Sequence, residues 1–470
     1  MEALKFEYIT FDKEKINQLL KEELKKFNKT IVVLDDDPTG TQTVNGIHVY
    51  CDWKKETLVK AFSRNDKMFF ILTNSRSFSE EETTLVHKEI MKNILEITKD
   101  VIIYSRGDST LRGHYPLETE ILKDEFERKT KEKIEGEILC PIFIEGKRVT
   151  INKVHYIIEN EKLLPVGESE FSKDKTFPYI NSDLSKWCEE KTKGKYLADN
   201  ITSIELDEIR KIDIESIVNK LKNIKEFNKI IVNGTNYYDL KVFTIALLKV
   251  LNLNKNFIMR GAASLVKVLS DCPEKKYLKS KDIINTQVEN GGLIVVGSHV
   301  NKTSRQLEKL LETDIERIEF NQHLVFDKNK FEKEIERVKD KAQDYLKVGK
   351  DVVIFTKRER VDIPGGTKEE QLKIATKISD GLIDIVNKIS IRPNFVIAKG
   401  GITSSDTATK GLKVKEALVL GQVTAGIPVW LTGNESKYPQ MPYIIFPGNV
   451  GEDITLKNLY LMLKGEKNEV

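Results

Sequence analysis

Two polar clusters in the first quarter of the chain carry the residue types that could do chemistry. The first is Asp35-Asp36-Asp37-Pro38-Thr39-Gly40, which directly follows the apolar run Ile31 to Leu34. Three adjacent carboxylates repel one another, so a folded chain keeps them together where cations, hydroxyls or backbone N–H groups compensate the charge. Pro38, Thr39 and Gly40 then allow a tight reversal around a small ligand. The second cluster runs from Ser105 to His114, Ser-Arg-Gly-Asp-Ser-Thr-Leu-Arg-Gly-His, after the apolar run Val101 to Tyr104. Its guanidiniums, carboxylate and hydroxyls suit a small polyhydroxylated anion, because arginine grips a carboxylate through two N–H groups while Asp and Ser take hydroxyls. Between the two, Phe69 to Leu72 leads into Thr73-Asn74-Ser75-Arg76, which supplies a further cation.

The far half of the chain repeats the arrangement with glycine in place of charge. Leu293 to Val296 leads into Gly297-Ser298-His299, Phe395 to Ala398 into Lys399-Gly400-Gly401-Ile402-Thr403-Ser404, and Tyr443 to Phe446 into Pro447-Gly448-Asn449-Val450-Gly451. Such loops expose backbone N–H groups, which suit phosphate oxygens, and Ser298, Thr403 and Ser404 add hydroxyls. The segment Gly297 to Ser304 imitates a P-loop but lacks the glycine before Lys302, so Walker-type binding is rejected. Dinucleotide, protein-kinase and serine-hydrolase signatures are absent from the sequence.

These chemistry-bearing segments must be carried by strands that end at a common edge, since ligands of open α/β sheets bind beyond the carboxyl ends of the strands. The pattern predicts two α/β domains, each around a mainly parallel sheet: residues 1–275, and 288–470, with the charged stretch Pro273 to Asn290 as linker. Ser79-Glu80-Glu81-Glu82 reads as a capping box that opens a helix with Val86, Ile90 and Ile94 on one face. Residues 131–181 are richer in short β-like runs, such as Arg148 to Ile151 and Val154 to Ile158, and read as an insertion that caps the substrate crevice.

Composition agrees with a water-soluble enzyme. The 470 residues include 76 basic and 73 acidic side chains, a formal net charge of +3 that gives no footprint for nucleic acid or membrane. Cys51, Cys140, Cys188 and Cys272 lack paired or metal spacing and read as reduced thiols of a cytoplasmic protein. Met1 to Glu7 lack the basic start and apolar core of an export leader. His114 and His299 lie in the candidate loops, where a lone histidine is more often structural than catalytic.

Taken together, Asp35 to Thr43, Arg106-Gly-Asp-Ser-Thr-Leu-Arg112-Gly113, Gly400-Gly-Ile-Thr-Ser404 and Phe446-Pro-Gly-Asn-Val-Gly451 resemble the four-carbon acid sugar kinase family, long catalogued as a domain of unknown function. The resemblance spans nearly the whole chain and extends to Gly146-Lys-Arg148 and Glu168 to Asp174. It implies an N-terminal domain that binds a sugar acid such as threonate, erythronate or 3-oxo-tetronate, and a C-terminal domain that binds ATP with Mg²⁺ and passes its γ-phosphate to the terminal hydroxyl. Carried over, it places substrate contacts on Asp36, Arg76, Arg106, Gly107, Asp108 and Ser109, and catalysis on Asp37 or Asp108. ATP contacts fall on Ser298, Gly400, Gly401, Ile402, Thr403, Gly448, Asn449, Val450 and Gly451, and no metal ligand is assigned. The chain departs from many members in having Arg106 for lysine and Ile402 for an acidic residue. Phosphoryl transfer is mostly positioning and charge neutralisation, so the acceptor hydroxyl needs a carboxylate base, for which Asp37 and Asp108 are both candidates. The expected partners are the sugar acid and ATP, and a homo-oligomer is compatible with them. The competing readings are a non-catalytic sugar-acid-binding effector and a metal-dependent sugar-acid lyase or dehydratase.

Overall fold

Apolar runs that stop abruptly at polar turns become parallel strands, and the helices between them cover both sheet faces. In the computed structural model, which describes residues 12–273, 275–363 and 365–465, the chain divides after Pro273 into two units. Met1 to Glu7, read as carrying no leader, lie outside the described residues.

The first unit contains β1 (Thr30–Asp35), β2 (His48–Tyr50), β3 (Met68–Leu72), β4 (Val101–Arg106), β5 (Gly136–Cys140), β6 (Arg148–Ile151), β7 (Val154–Glu159), β8 (Lys162–Pro165), β9 (Thr202–Ile204), β10 (Asn228–Val232) and β11 (Phe257–Gly261). Its main sheet has the order β2-β3-β1-β4-β11-β5-β10-β9 and is parallel throughout. Residues Ile31 to Leu34 are buried on both faces, as a helix-covered parallel sheet requires. Because the strands share a direction, Asp35, Arg106 and Gly261 all end at the same edge.

The helix Glu80–Leu95 shows how local signals and packing agree. Ser79 and Glu82 form the reciprocal capping box, with the Ser79 N–H donating to Glu82 at 2.9 Å and the Glu82 N–H donating to Ser79 Oγ at 3.2 Å. Ile90 and Ile94 are fully buried, Val86 packs on the same cluster, and Leu85 points to solvent.

Strands β6, β7 and β8 form a separate antiparallel sheet. The insertion is therefore shorter than residues 131–181, because β5 belongs to the main sheet between β11 and β10. Its apolar residues look the same in one dimension whether they pair in the core or outside it, and its partners lie far away along the chain.

The second unit contains β12 (Leu293–Val296), β13 (Glu316–Phe320), β14 (Val352–Thr356), β15 (Val396–Lys399), β16 (Glu416–Thr424), β17 (Ile427–Thr432) and β18 (Pro442–Phe446). Strands β13-β14-β12-β15-β18 are parallel, and β17 and β16 continue the sheet antiparallel as a hairpin. In the stretch read as linker, Leu278 and Ile283 are buried in the core of this unit, and the Leu278 N–H donates to the Gln422 carbonyl at 2.9 Å. All four cysteines are free thiols. Among the described residues, no helix is long and apolar enough to cross a membrane.

Burial on the helix Glu80–Leu95 sets a test of the packing. Ile90→Ala should lower the unfolding free energy of the first unit by about 2–5 kcal/mol through lost burial and a residual cavity. Leu85→Ala, on the exposed face, should stay within about 0.5 kcal/mol. Urea unfolding of both variants checks the contrast.

Candidate functional site

The three carboxylates at the end of β1 are separated by burial and by partner. Asp35 and Asp36 are each 2% exposed, whereas the Asp37 side chain is 20% exposed. Asp35 lies under the turn Pro38–Thr41 so closely that a Cβ on Gly40 would sit 1.9 Å from its carboxylate, which is why only glycine fits there. Burial pushes the Asp35 carboxyl well above the usual range, with Arg106 opposing. Asp36 forms a two-point ion pair with Arg76, Nη2 to Oδ1 at 2.6 Å and Nε to Oδ2 at 3.2 Å. Burial still pushes its carboxyl upward against the pull of Arg76. Asp37 accepts from the Thr39 N–H at 2.8 Å and the Thr39 hydroxyl at 2.5 Å through Oδ1.

That two-point pair leaves the third guanidinium nitrogen with ion-pair contacts alone. Arg76 Nη1 lies 3.5 Å from Asp37 Oδ2 and 3.9 Å from Asp108 Oδ1, too long for hydrogen bonds. Asp108 Oδ2 is saturated, accepting from Arg112 Nε at 2.8 Å, from the Thr110 N–H at 3.2 Å and from the Thr110 hydroxyl. Burial is the largest single influence on Asp37 and Asp108 and opposes their ionisation, but Arg76 together with Thr39 at Asp37, and together with Arg112 and Thr110 at Asp108, outweighs it and holds both carboxyls below the ordinary range. A cation end flanked by two ionised carboxylate oxygens is a set that can orient neighbouring hydroxyls of a small anion.

Main-chain bonds stitch these loops together: the Asp36 N–H donates to the Arg106 carbonyl, Thr73 N–H to Asp35 and Gly107 N–H to Gly261. Arg106 is 3% exposed and faces Asp35 at 3.7 Å, so its nearest carboxylate belongs to the protein. Ser109 is buried at 9% exposed, and its carbonyl accepts from His155 Nε2 at 2.8 Å. His155 is neutral at physiological pH, since burial lowers its pKa to about 4, so Nδ1 accepts from the Thr150 hydroxyl at 2.9 Å. Tyr179 donates to the Thr110 carbonyl at 2.7 Å, and Phe171 lies beneath the Arg112 guanidinium, 5.0 Å from ring centroid to carbon. The inserted segment thus supports the Arg106 to Gly113 loop from outside the main sheet.

Arg260, on β11, is a site-shaping residue that the sequence reading missed. Its guanidinium fills the space against Gly107 and Gly113, where an added Cβ would lie 2.5 Å and 2.9 Å away. Nη1 is held by Ser105 Oγ at 2.8 Å and by Glu118 Oε2. Glu118 also accepts from Ser75 Oγ at 2.7 Å. No local motif marked Arg260 or Glu118; only the strand order brings them behind the loop. His114 bonds the Phe78 carbonyl at 3.0 Å, and His299 the Lys357 carbonyl at 3.1 Å, both structural uses.

In the second unit, Ser298, Gly400, Thr403 and Gly448 converge. A Cβ on Gly400 would lie 3.0 Å from Ser298 Cβ and 3.2 Å from Thr403 Oγ1, and one on Gly448 would lie 3.6 Å from Ser298 Oγ. Gly400 has φ of 122°, and its N–H donates to the Phe446 carbonyl at 2.8 Å, which ties two of the loops together. Gly401 is half-buried, while Ile402 is 61% exposed and Asn449 is exposed. Val450 packs against the core, Gly451 has φ of 80°, and the Val450 carbonyl accepts from Gln306 at 3.0 Å. Two cations to which the sequence assigned no role adjoin this cluster. Lys399 is fully buried, and the Arg358 guanidinium bonds the Ser298 carbonyl and Ser304 Oγ. Among the described residues, no group of three His, Cys, Asp or Glu side chains is arranged to hold a metal ion.

Comparison with known proteins divides the chain in the same way. Residues 31–269 match the model of a sugar-binding N-terminal domain, and residues 293–456 that of a nucleotide-binding C-terminal domain. A Haemophilus influenzae protein of a family without assigned function is similar in fold, at 14% identity and a TM-score of 0.62 over 92% of this chain and 100% of its own. A Salmonella typhimurium protein provisionally named a tRNA synthase is similar at 13% identity and a TM-score of 0.62, over 91% of this chain and 98% of its own. At such identities the likeness concerns the fold alone. No protein of curated function matches the chain in sequence. The chain therefore belongs to the four-carbon acid sugar kinase family, with a sugar-binding N-terminal domain and a nucleotide-binding C-terminal domain.

Proposed function

We propose that the protein transfers the γ-phosphate of ATP to the terminal hydroxyl of a four-carbon sugar acid of the threonate, erythronate or 3-oxo-tetronate type. The observation that carries this reading is Arg76 Nη1, ion-paired but not hydrogen-bonded to Asp37 Oδ2 and Asp108 Oδ1, in a chain whose other half is a nucleotide-binding domain. A short polyhydroxylated anion needs such alternation of cation and carboxylate.

Within this reading the two carboxylates divide the work. Asp108 accepts three hydrogen bonds, one from Arg112 and two from Thr110, and is the weaker base. Asp37 is more exposed and its Oδ2 has only the long contact to Arg76. Asp37 is accordingly assigned as the base that accepts the hydroxyl proton, and Asp108 as the group that holds the acceptor. Arg76 and Arg112 hold charge at the acceptor, and Ser298, Gly400 to Thr403 and Gly448 to Gly451 receive the nucleotide. Mg²⁺ entering with ATP would supply neutralisation of phosphate charge.

Coupled-assay detection of ADP release over a panel of four-carbon sugar acids tests the activity; no turnover with any of them would overturn it. Asp37→Asn should lower kcat about 10²–10⁴-fold with little change in KM for the sugar acid, whereas Asp108→Asn should act mainly on that KM. The reverse pattern would exchange the two roles. Arg76→Lys, which cannot hold Asp36 at two points and still present a third N–H, should weaken sugar-acid binding by about 2 kcal/mol or more.

The pH dependence follows in sign from the lowered carboxyls. Groups with depressed pKa keep their charge as pH falls and lose it only below the ordinary carboxylate range. Asp37 and Asp108 should thus contribute no acid limb to kcat/KM for the sugar acid from about pH 7 to about pH 5, a range left to the raised carboxyls of Asp35 and Asp36. A carboxyl NMR titration that places Asp37 or Asp108 between these values would remove them as the ionised pair.

A further inference from the structure

Lys399 ends β15, directly before the Gly400-Gly401 turn, and is fully buried. Its Nζ donates to the carbonyl of Pro447 at 2.5 Å and to that of Gly448 at 3.2 Å, and lies 4.0 Å from the centre of the Phe446 ring. The contrast with Lys229, equally buried, is informative, because Lys229 meets the Glu137 carboxylate at 2.6 Å. Lys399 has no such counter-charge among the described residues, and the charged side chain that acts on it is another cation, Lys302. Burial first, and Lys302 second, lower its pKa to about 7. A buried amine without a carboxylate is a costly place for a permanent positive charge, and the nearby glycine loops are where an anion would supply the missing partner.

We propose that Lys399 positions the Pro447 and Gly448 loop for a nucleotide's phosphates and takes up a proton from solvent as they bind, changing from amine to ammonium to become their buried counter-charge. The inference rests on the reading that the second unit binds ATP. The proton is donated by the buffer acid, so uptake is visible in the heat of binding. Other groups around the site are accounted for. His299, after β12, bonds the Lys357 carbonyl; Arg358, after β14, holds Ser298 and Ser304; Asp406, on the helix Gly401–Asp406, pairs with Lys410 at 3.2 Å; Lys302 lies on the helix Asn301–Leu310. Of these, His299 is the one that could also gain a proton.

Calorimetric titration of the full chain with MgATP at about pH 8, in buffers of different ionisation enthalpy, tests the proposal. A group with pKa near 7 is about nine-tenths deprotonated there, so uptake should approach about 0.9 proton per ATP. Affinity should fall as pH rises above 7, by up to about tenfold per unit. Lys399→Arg, always charged, should bind MgATP without uptake, and Lys399→Met should bind it about tenfold or more weakly. Uptake that survives in Lys399→Arg would assign the proton to another group, such as His299, and overturn the proposal. Lys302→Gln, a milder change, should move the midpoint of uptake to higher pH; an unmoved midpoint also overturns it. Binding of MgATP with no buffer-dependent heat defeats this inference alone, whereas absence of MgATP binding to the unaltered protein defeats the nucleotide reading with it.

Discussion

Charge withdrawn from water at the ends of parallel strands is the constraint on which the first unit depends. Asp35, Asp36 and Glu118 are each 2% exposed, and an isolated carboxylate at such a depth would cost several kcal/mol. Each is met by a guanidinium: Arg106 for Asp35, Arg76 for Asp36 and Arg260 for Glu118. These pairs decide the shape of the site more than its affinity. Because Asp36 takes two nitrogens of Arg76, the remaining one is directed toward Asp37 and Asp108; because Glu118 holds Arg260, the loop that carries Asp108 has a rigid wall against Gly107 and Gly113.

The second unit solves the complementary problem. Its strand-end loops present small residues and hydroxyls, and the close approach of Ser298 and Thr403 to Gly400, whose φ is 122°, disfavours a larger side chain there. The buried Lys399 amine there is held by carbonyl dipoles, with no carboxylate beside it among the described residues. One unit thus encloses negative charge with bound cations, and the other keeps a buried amine without a counter-charge. This asymmetry is the one that the proposed transfer asks of its acceptor and donor sites.

The small antiparallel sheet and the segment after it have a clear mechanical role. His155 and Tyr179 hold the carbonyls of Ser109 and Thr110, and Phe171 supports Arg112, so the loop that carries Asp108 is braced from outside the main sheet. Loops that carry function are positioned by rigid elements, and here part of the rigidity is supplied by an insertion.

The sequence alone determined the strand-and-loop alternation, the capping box at Ser79 and the two kinds of strand-end loop, because these depend on neighbours a few residues apart. It also carried the motifs that identify the family. What only the tertiary structure decided depends on pairing across long separations. The place of β5 in the main sheet, the burial of Arg106 against Asp35 and the wall formed by Arg260 all follow from strand order, which no local pattern encodes. The same holds for the distinction among Asp35, Asp36 and Asp37. In one dimension they are three equal carboxylates, whereas in the fold Asp35 is roofed by Gly40, Asp36 is tied to Arg76, and Asp37 alone keeps an oxygen toward the open side, because successive residues leaving a strand end point in different directions.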